Sequence, residues 1–221
     1  MSLRLVQRLS LFATAAILFI LAVPVWAGTV YQQPTNFGGA YASQNDTNSL
    51  GNFATAYDNF TLGASTNITS VSWIGSFFNG GTGTITGFTL DFWSNAGGAP
   101  GTMLYTETVG GNAGQTFLQI DNAGNPTYSY SLSTAFSAAA GTTYWLSIVP
   151  DMAFPPQWGW ETGTGGDGSA WQCFMGKCGS IPNDLAFALY GPSTTPEPGS
   201  LILLGTGLLG LAGSMRRKVL G

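Results

Sequence analysis

Glu161, in Trp-Gly-Trp-Glu-Thr, and Glu107, in Tyr-Thr-Glu-Thr, are the only glutamates between residues 28 and 191. Two carboxyls at a suitable separation could make a glycosidase, a chemistry that needs no imidazole. Asp91, between Leu90 and Phe92, is a further carboxyl to consider. Most other chemistry is closed off by what is missing. The 221 residues include no histidine, so no Ser-His-Asp or Cys-His nucleophile and no zinc site with imidazole ligands can form. Two cysteines cannot supply four thiolates. No cofactor and no metal are expected: Asp121-Asn122-Ala123-Gly124-Asn125 and Gly165-Gly166-Asp167-Gly168 hold oxygen ligands without the spacing of a calcium loop. Asx turns account for both. Nothing in the sequence places two carboxyls together, and acids on a charge-poor protein usually serve solubility, so a non-enzymatic protein is the first expectation.

Aromatic residues offer binding rather than catalysis. Trp158, Trp160 and Trp171 flank glycine-rich loops near Gln157, Glu161, Asp167 and Gln172. Indole rings stack on the apolar C–H faces of sugars while amides and carboxylates meet the hydroxyls, so these three, with Glu161, are the candidate carbohydrate-binding residues. Packing in the core or under loops is the competing reading of the same rings. Trp73 and Trp145 lie in strongly alternating or apolar segments and read as core. Cys173 and Cys178 bracket Phe-Met-Gly-Lys; in an oxidising compartment they should form a disulfide that stiffens that loop.

Charge is sparse and unevenly placed. Arg4 and Arg8 open the chain, Arg216, Arg217 and Lys218 close it, and Lys177 alone lies between. Residues 28–195 carry nine acids, namely Asp46, Asp58, Asp91, Glu107, Asp121, Asp151, Glu161, Asp167 and Asp184, against that one base. Such a surface repels phosphates, which excludes nucleic acid as a partner. Residues 1–27 have a basic start, the apolar run LFATAAILFILAV and small residues at Val25 and Ala27, the marks of a secretory signal peptide cleaved before Gly28. An uncleaved membrane anchor is the alternative.

Residues 192–200 form a Pro/Ser/Thr linker, 201–215 an apolar span of transmembrane-helix type, and 216–221 a basic tail. The span is short for a bilayer and just sufficient with Pro198 to Ser200 included. The Arg216, Arg217, Lys218 cluster acts as a stop-transfer signal that stays cytoplasmic and places residues 28–191 outside the inner membrane. Pro196-Glu197-Pro198 followed at once by the apolar span and basic cluster resembles the PEP-CTERM sorting signal of Gram-negative bacteria. The resemblance implies recognition of the tripeptide by an exosortase, a membrane-embedded cysteine transpeptidase that removes the tail. It also implies a transient inner-membrane stage before the cell surface or extracellular matrix is reached. A permanent single-span anchor is the plainer alternative.

The elements that must position the candidate residues are strands. Val71, Trp73, Gly75 and Phe77 alternate with Ser72, Ile74 and Ser76; Phe88, Leu90 and Phe92 alternate with Thr89 and Asp91; Tyr128, Tyr130 and Leu132 with serines; Leu185, Phe187 and Leu189 with alanines. Thr142 to Val149 is apolar on both faces, as a central strand would be. Turn clusters such as Asn79-Gly80-Gly81 and Asn95-Ala96-Gly97-Gly98 separate the runs. Eight to ten short strands are expected in residues 28–191, as an all-β, two-sheet antiparallel β-sandwich of jelly-roll type, with a barrel as the other architecture.

The strings DNFTL, ITSVSWIG, FTLDFWSNAGGAPGTMLY, GTTYWLSIV, WGWET and LAFALYG are similar to exported sandwich domains that precede PEP-CTERM or other surface-anchoring tails. That resemblance implies a cell-envelope or matrix destination and no established catalytic residues. The expected function is therefore an exported surface or extracellular-matrix protein. A carbohydrate-binding module for exopolysaccharide is the alternative, and a glycoside hydrolase the third reading.

Overall fold

In the computed structural model, residues 27–192 and 205–206 are described. The signal peptide, the sorting linker, most of the apolar span and the basic tail, with Pro196, Glu197, Pro198, Arg216, Arg217 and Lys218, lie outside the described residues.

The chain from 27 to 192 is built of strands: β1 (Ala27–Gln33), β2 (Thr35–Ala42), β3 (Gln44–Asp46), β4 (Gly51–Thr61), β5 (Thr66–Phe78), β6 (Gly87–Asn95), β7 (Pro100–Gly110), β8 (Thr116–Ile120), β9 (Pro126–Ala138), β10 (Thr143–Met152), β11 (Gln157–Gly163), β12 (Ser169–Phe174), β13 (Lys177–Pro182), β14 (Asp184–Leu185) and β15 (Phe187–Pro192). Fifteen strands replace the expected eight to ten. The excess comes from segments without alternation: glycine-rich β2, and short pieces such as β3 and β14, which are strands because a neighbour satisfies their backbone groups.

The strands form two sheets. The first runs β1-β15-β5-β11-β14, with β2 beside β11 and β9 carrying β8 beside β5; the second runs β13-β12-β4-β3-β10-β6-β7, with β4 also paired to β10. Pairing is antiparallel except between β10 and β3. The expected two-sheet antiparallel sandwich is what the sequence folds into.

The inner faces meet in an aromatic core. From the second sheet, Phe88 packs edge-on against Trp73 and Trp158 of the first at ring-centroid distances of 5.1 and 5.8 Å. Phe92 stacks on Phe136 of β9 at 4.3 Å. Offset-stacked and edge-to-face pairs of this kind add to the apolar area each ring buries. Asp58 is also fully buried on the inner side, where its carboxylate accepts the N–H groups of Asn59 and of Leu185 in β14. The bond to Leu185 ties the two sheets together. Burial pushes its carboxyl well above the usual range, and the two backbone N–H bonds oppose that rise.

The alternation read from sequence sets which side chains face inward. Val71, Trp73 and Phe77, then Phe88, Leu90 and Phe92, and then Leu185, Phe187 and Leu189 are all buried. β10, paired on one side with β4 and on the other with β6, is the central strand its apolar composition implied.

Candidate functional site

Of the candidate ligand residues, Trp158 and Trp160 take the competing reading, packing in the core, and Glu161, offered as a surface partner for them, is corrected to an interior position. They lie on β11, whose residues pair with β5 on one side and β2 on the other, and each is fully buried. Trp158 and Trp160 point into the core. Trp158 Nε1 donates to the Tyr130 hydroxyl at 3.1 Å, and Trp160 Nε1 to the Ala186 carbonyl at 2.9 Å. Gly75 makes room for the first indole, since a Cβ there would sit 2.0 Å from Trp158 Cζ2. No sugar can stack on rings enclosed in this way.

Glu161 projects from the opposite side of β11, next to the bulged part of its neighbour β2. Its Oε1 accepts the Gly39 N–H at 2.9 Å, and its Oε2 is buried without a hydrogen-bond partner. Burial pushes its carboxyl up to about 7, with the Gly39 bond opposing the shift. Glu107 belongs to β7 in the other sheet, where its Oε2 accepts the Tyr105 hydroxyl at 2.6 Å. Asp91 is on β6. β6 and β7 are paired, but Glu107 is registered opposite core Leu90 and Asp91 opposite Thr106, so the two carboxyls face opposite sides of that sheet, while Glu161 is enclosed in the other sheet.

Trp171 is the candidate that remains at the surface. It sits half-buried on β12, and the pairing register continues from it straight across the second sheet: Trp171 opposite Tyr57 of β4, Tyr57 opposite Ser147 of β10, Ser147 opposite Asp91 of β6, and Asp91 opposite Thr106 of β7. Side chains alternate along a strand, and the immediate neighbours Ala56, Asp58, Leu146, Leu90 and Phe92 are buried toward the core. The row therefore faces away from the core.

Trp93 adds a second indole to this outer face. It lies edge-on to Tyr57 at 5.6 Å, and its Nε1 donates to Ser147 Oγ at 3.0 Å. The serine hydroxyl lies 3.4 Å from Asp91 Oδ2. Beside it Trp145, buried on the same face, donates through Nε1 to Asn95 Oδ1 at 3.0 Å. Burial raises the Asp91 carboxyl, while hydrogen bonds with Thr106 and Ser147 act in the opposite direction. Tyr57, Trp93, Ser147 and Thr106 were not singled out from sequence as a surface. Their signal was present: each lies out of phase with the core residues of its own strand.

Cys173 and Cys178 form the expected disulfide, across the β12–β13 hairpin where they are register partners. The bridge lies two residues from Trp171 on the same side of β12 and closes the turn at Met175-Gly176. Backbone N–H groups account for both calcium-like segments: Asp121 Oδ1 accepts those of Ala123 and Asn125, Asp167 Oδ1 accepts that of Ser169, and those of Gly166 and Gly168 donate to Asp184 outside the segment. Among the described residues, no group of three or more acidic or cysteine side chains is arranged to hold a metal ion.

An acidic β-sandwich body followed by a C-terminal sorting motif defines a class of exported protein. Residues 194–218 match the PEP-CTERM protein-sorting motif. The match bears on 25 residues and supports an exosortase-sorted, exported protein of Gram-negative type. No curated protein matches the chain.

Proposed function

We propose that this protein is a non-enzymatic component of the cell surface or extracellular matrix, carried through the inner membrane and cut near Pro196-Glu197-Pro198 by an exosortase. The observation that carries the reading is the match of residues 194–218 to the sorting motif, directly behind a folded body. Proline lacks the backbone N–H that regular structure uses, which suits it to a site that a membrane-bound enzyme must reach. The apolar span at 201–215 then holds the substrate at the bilayer until the cut is made. The burial of Glu161 and the separation of the carboxyls support a binding or structural role over hydrolysis.

Intact-mass measurement of the protein recovered from the surface or medium tests this reading. The expected mass lacks both the signal peptide and the residues behind the Pro-Glu-Pro motif. Released protein that retains Leu201 to Gly221 would sink it.

A further inference from the structure

From the outer face of the second sheet we infer a binding site for a neutral polysaccharide, in which Trp171, Tyr57 and Trp93 supply stacking surfaces and Asp91 and Thr106 meet the sugar hydroxyls. The inference goes beyond the sorting reading and does not depend on it.

Three properties of this face point to that ligand. The first is shape. Trp171 and Asp91 are three strands apart, which at ~4.8 Å per strand sets them about 14 Å apart, with Ser147 buried between them and hydrogen-bonded to the half-buried Trp93 indole. A row of that length suits an extended chain lying across the strands, as distinct from a small molecule in a cavity.

The second is preorganisation. The Trp93 ring is fixed by its bond to Ser147 and by the Tyr57 edge, and Trp171 stands on a hairpin closed by the disulfide. Rings already held on strands lose little freedom when a ligand stacks on them. Polar atoms lie between the rings, as an alternately apolar and hydroxylated ligand requires.

The third is charge. Asp91 is on the face and Asp167 at its border, where it accepts Asn59 Nδ2 at 2.9 Å. Lys177, the one base in residues 27–192, is registered opposite Phe174, on the side of the hairpin away from Trp171. An anionic glycan would meet carboxylates and no cation. A second copy docked through the same face by two-fold symmetry would set that acidic face against itself, with Lys177 of each copy on the far side of its hairpin. A neutral, hydroxyl-rich chain meets neither difficulty.

The test is calorimetric titration of the full chain, purified in detergent, with cellohexaose, laminarihexaose, maltohexaose and mannohexaose, and with polygalacturonate as the anionic contrast. Saturable binding of at least one neutral oligosaccharide is expected, weakened at least tenfold by either Trp171→Ala or Trp93→Ala, with polygalacturonate bound more weakly. Trp93→Phe, which keeps a ring, guards against a folding defect and should retain most of the affinity. Thermal melts confirm that each variant is folded. Absence of binding to all four neutral probes overturns the proposal. So does binding that both alanine variants retain, or preference for polygalacturonate. Sedimentation showing a dimer that Trp171→Ala dissolves assigns the face to a second copy and overturns it equally. Because the uncleaved chain is used, failure of the sorting reading leaves this result untouched.

Discussion

Two tryptophan-bearing strands of this protein, β11 and β12, follow one another in the chain and put their indoles to opposite uses. On β11, Trp158 and Trp160 enter the core while Gly159 and Glu161 take the other side, where the Phe78 side chain crowds Gly159 and the bulged residues 36–39 of the neighbouring β2 reach Glu161 through the Gly39 N–H. On β12, Trp171 faces outward because Ala170 and Gln172 take the inner side, and its ring stays half-buried. Composition does not separate them, for both are short, aromatic and flanked by glycine. Strand phase and the presence of a covering layer decide whether an indole stabilises the fold or remains available to a ligand.

The largest expected effect tests the buried member. Trp158→Ala removes a ring held by Phe88, Tyr130 and a hydrogen bond, and should cost about 4 kcal/mol in chemical denaturation. Gly75→Ala should be similarly damaging, because its Cβ has no place beside that ring. A loss under about 1 kcal/mol for Trp158→Ala would remove the distinction between the strands.

Glu161 gives the next effect, with the opposite sign. Its folded carboxyl is raised from 4.5 to about 7, so below pH 4.5 both folded and unfolded chains hold the proton. Between 4.5 and 7 only the folded chain keeps it, and stability falls as pH rises until it levels above 7. Glu161→Gln should therefore match the parent near pH 4.5 and exceed it by about 2 kcal/mol at pH 8. Denaturation curves at the two pH values measure this, and a pH-independent difference would refute it.

The outer strand should respond less. Replacing Cys173 and Cys178 together by serine opens a very short loop, for which the chain-entropy relation gives about 2 kcal/mol. Trp171→Ala gives up only part of a ring's burial and should cost about 1 kcal/mol, read from the same curves. If Trp171→Ala matched Trp158→Ala, the outer row would be a second core, and its role as a ligand surface would lose its basis.

The framework was legible in the sequence where alternation was clean. Phe88, Leu90 and Phe92 announce a half-buried strand, and Thr142 to Val149 a central one, because period two with apolar side chains has few other solutions. β11 was not legible in the same way. Its Trp-Gly-Trp-Glu string alternates, yet the glutamate on the far side suggests water, and only distant residues, the Gly39 bulge of β2 and the Phe78 ring, close that side. The outer row failed to stand out for a related reason. Its members come from five strands between residues 57 and 171, and nothing local records that Tyr57 and Trp171 are neighbours. The parity of Trp93 relative to Phe92 was readable, while the register joining it to the others is a product of the fold.

The position of Lys177 has a consequence for survival outside the cell. It is the sole Lys or Arg in residues 27–192, and it is followed directly by Cys178. A trypsin-like protease therefore has one peptide bond to cut in the folded body, at the tip of the hairpin. The two pieces would stay joined through Cys173–Cys178 and through the pairing of β13 with β12 and of β15 with β1 and β5, so a nicked molecule would keep its shape and come apart on a gel only after reduction.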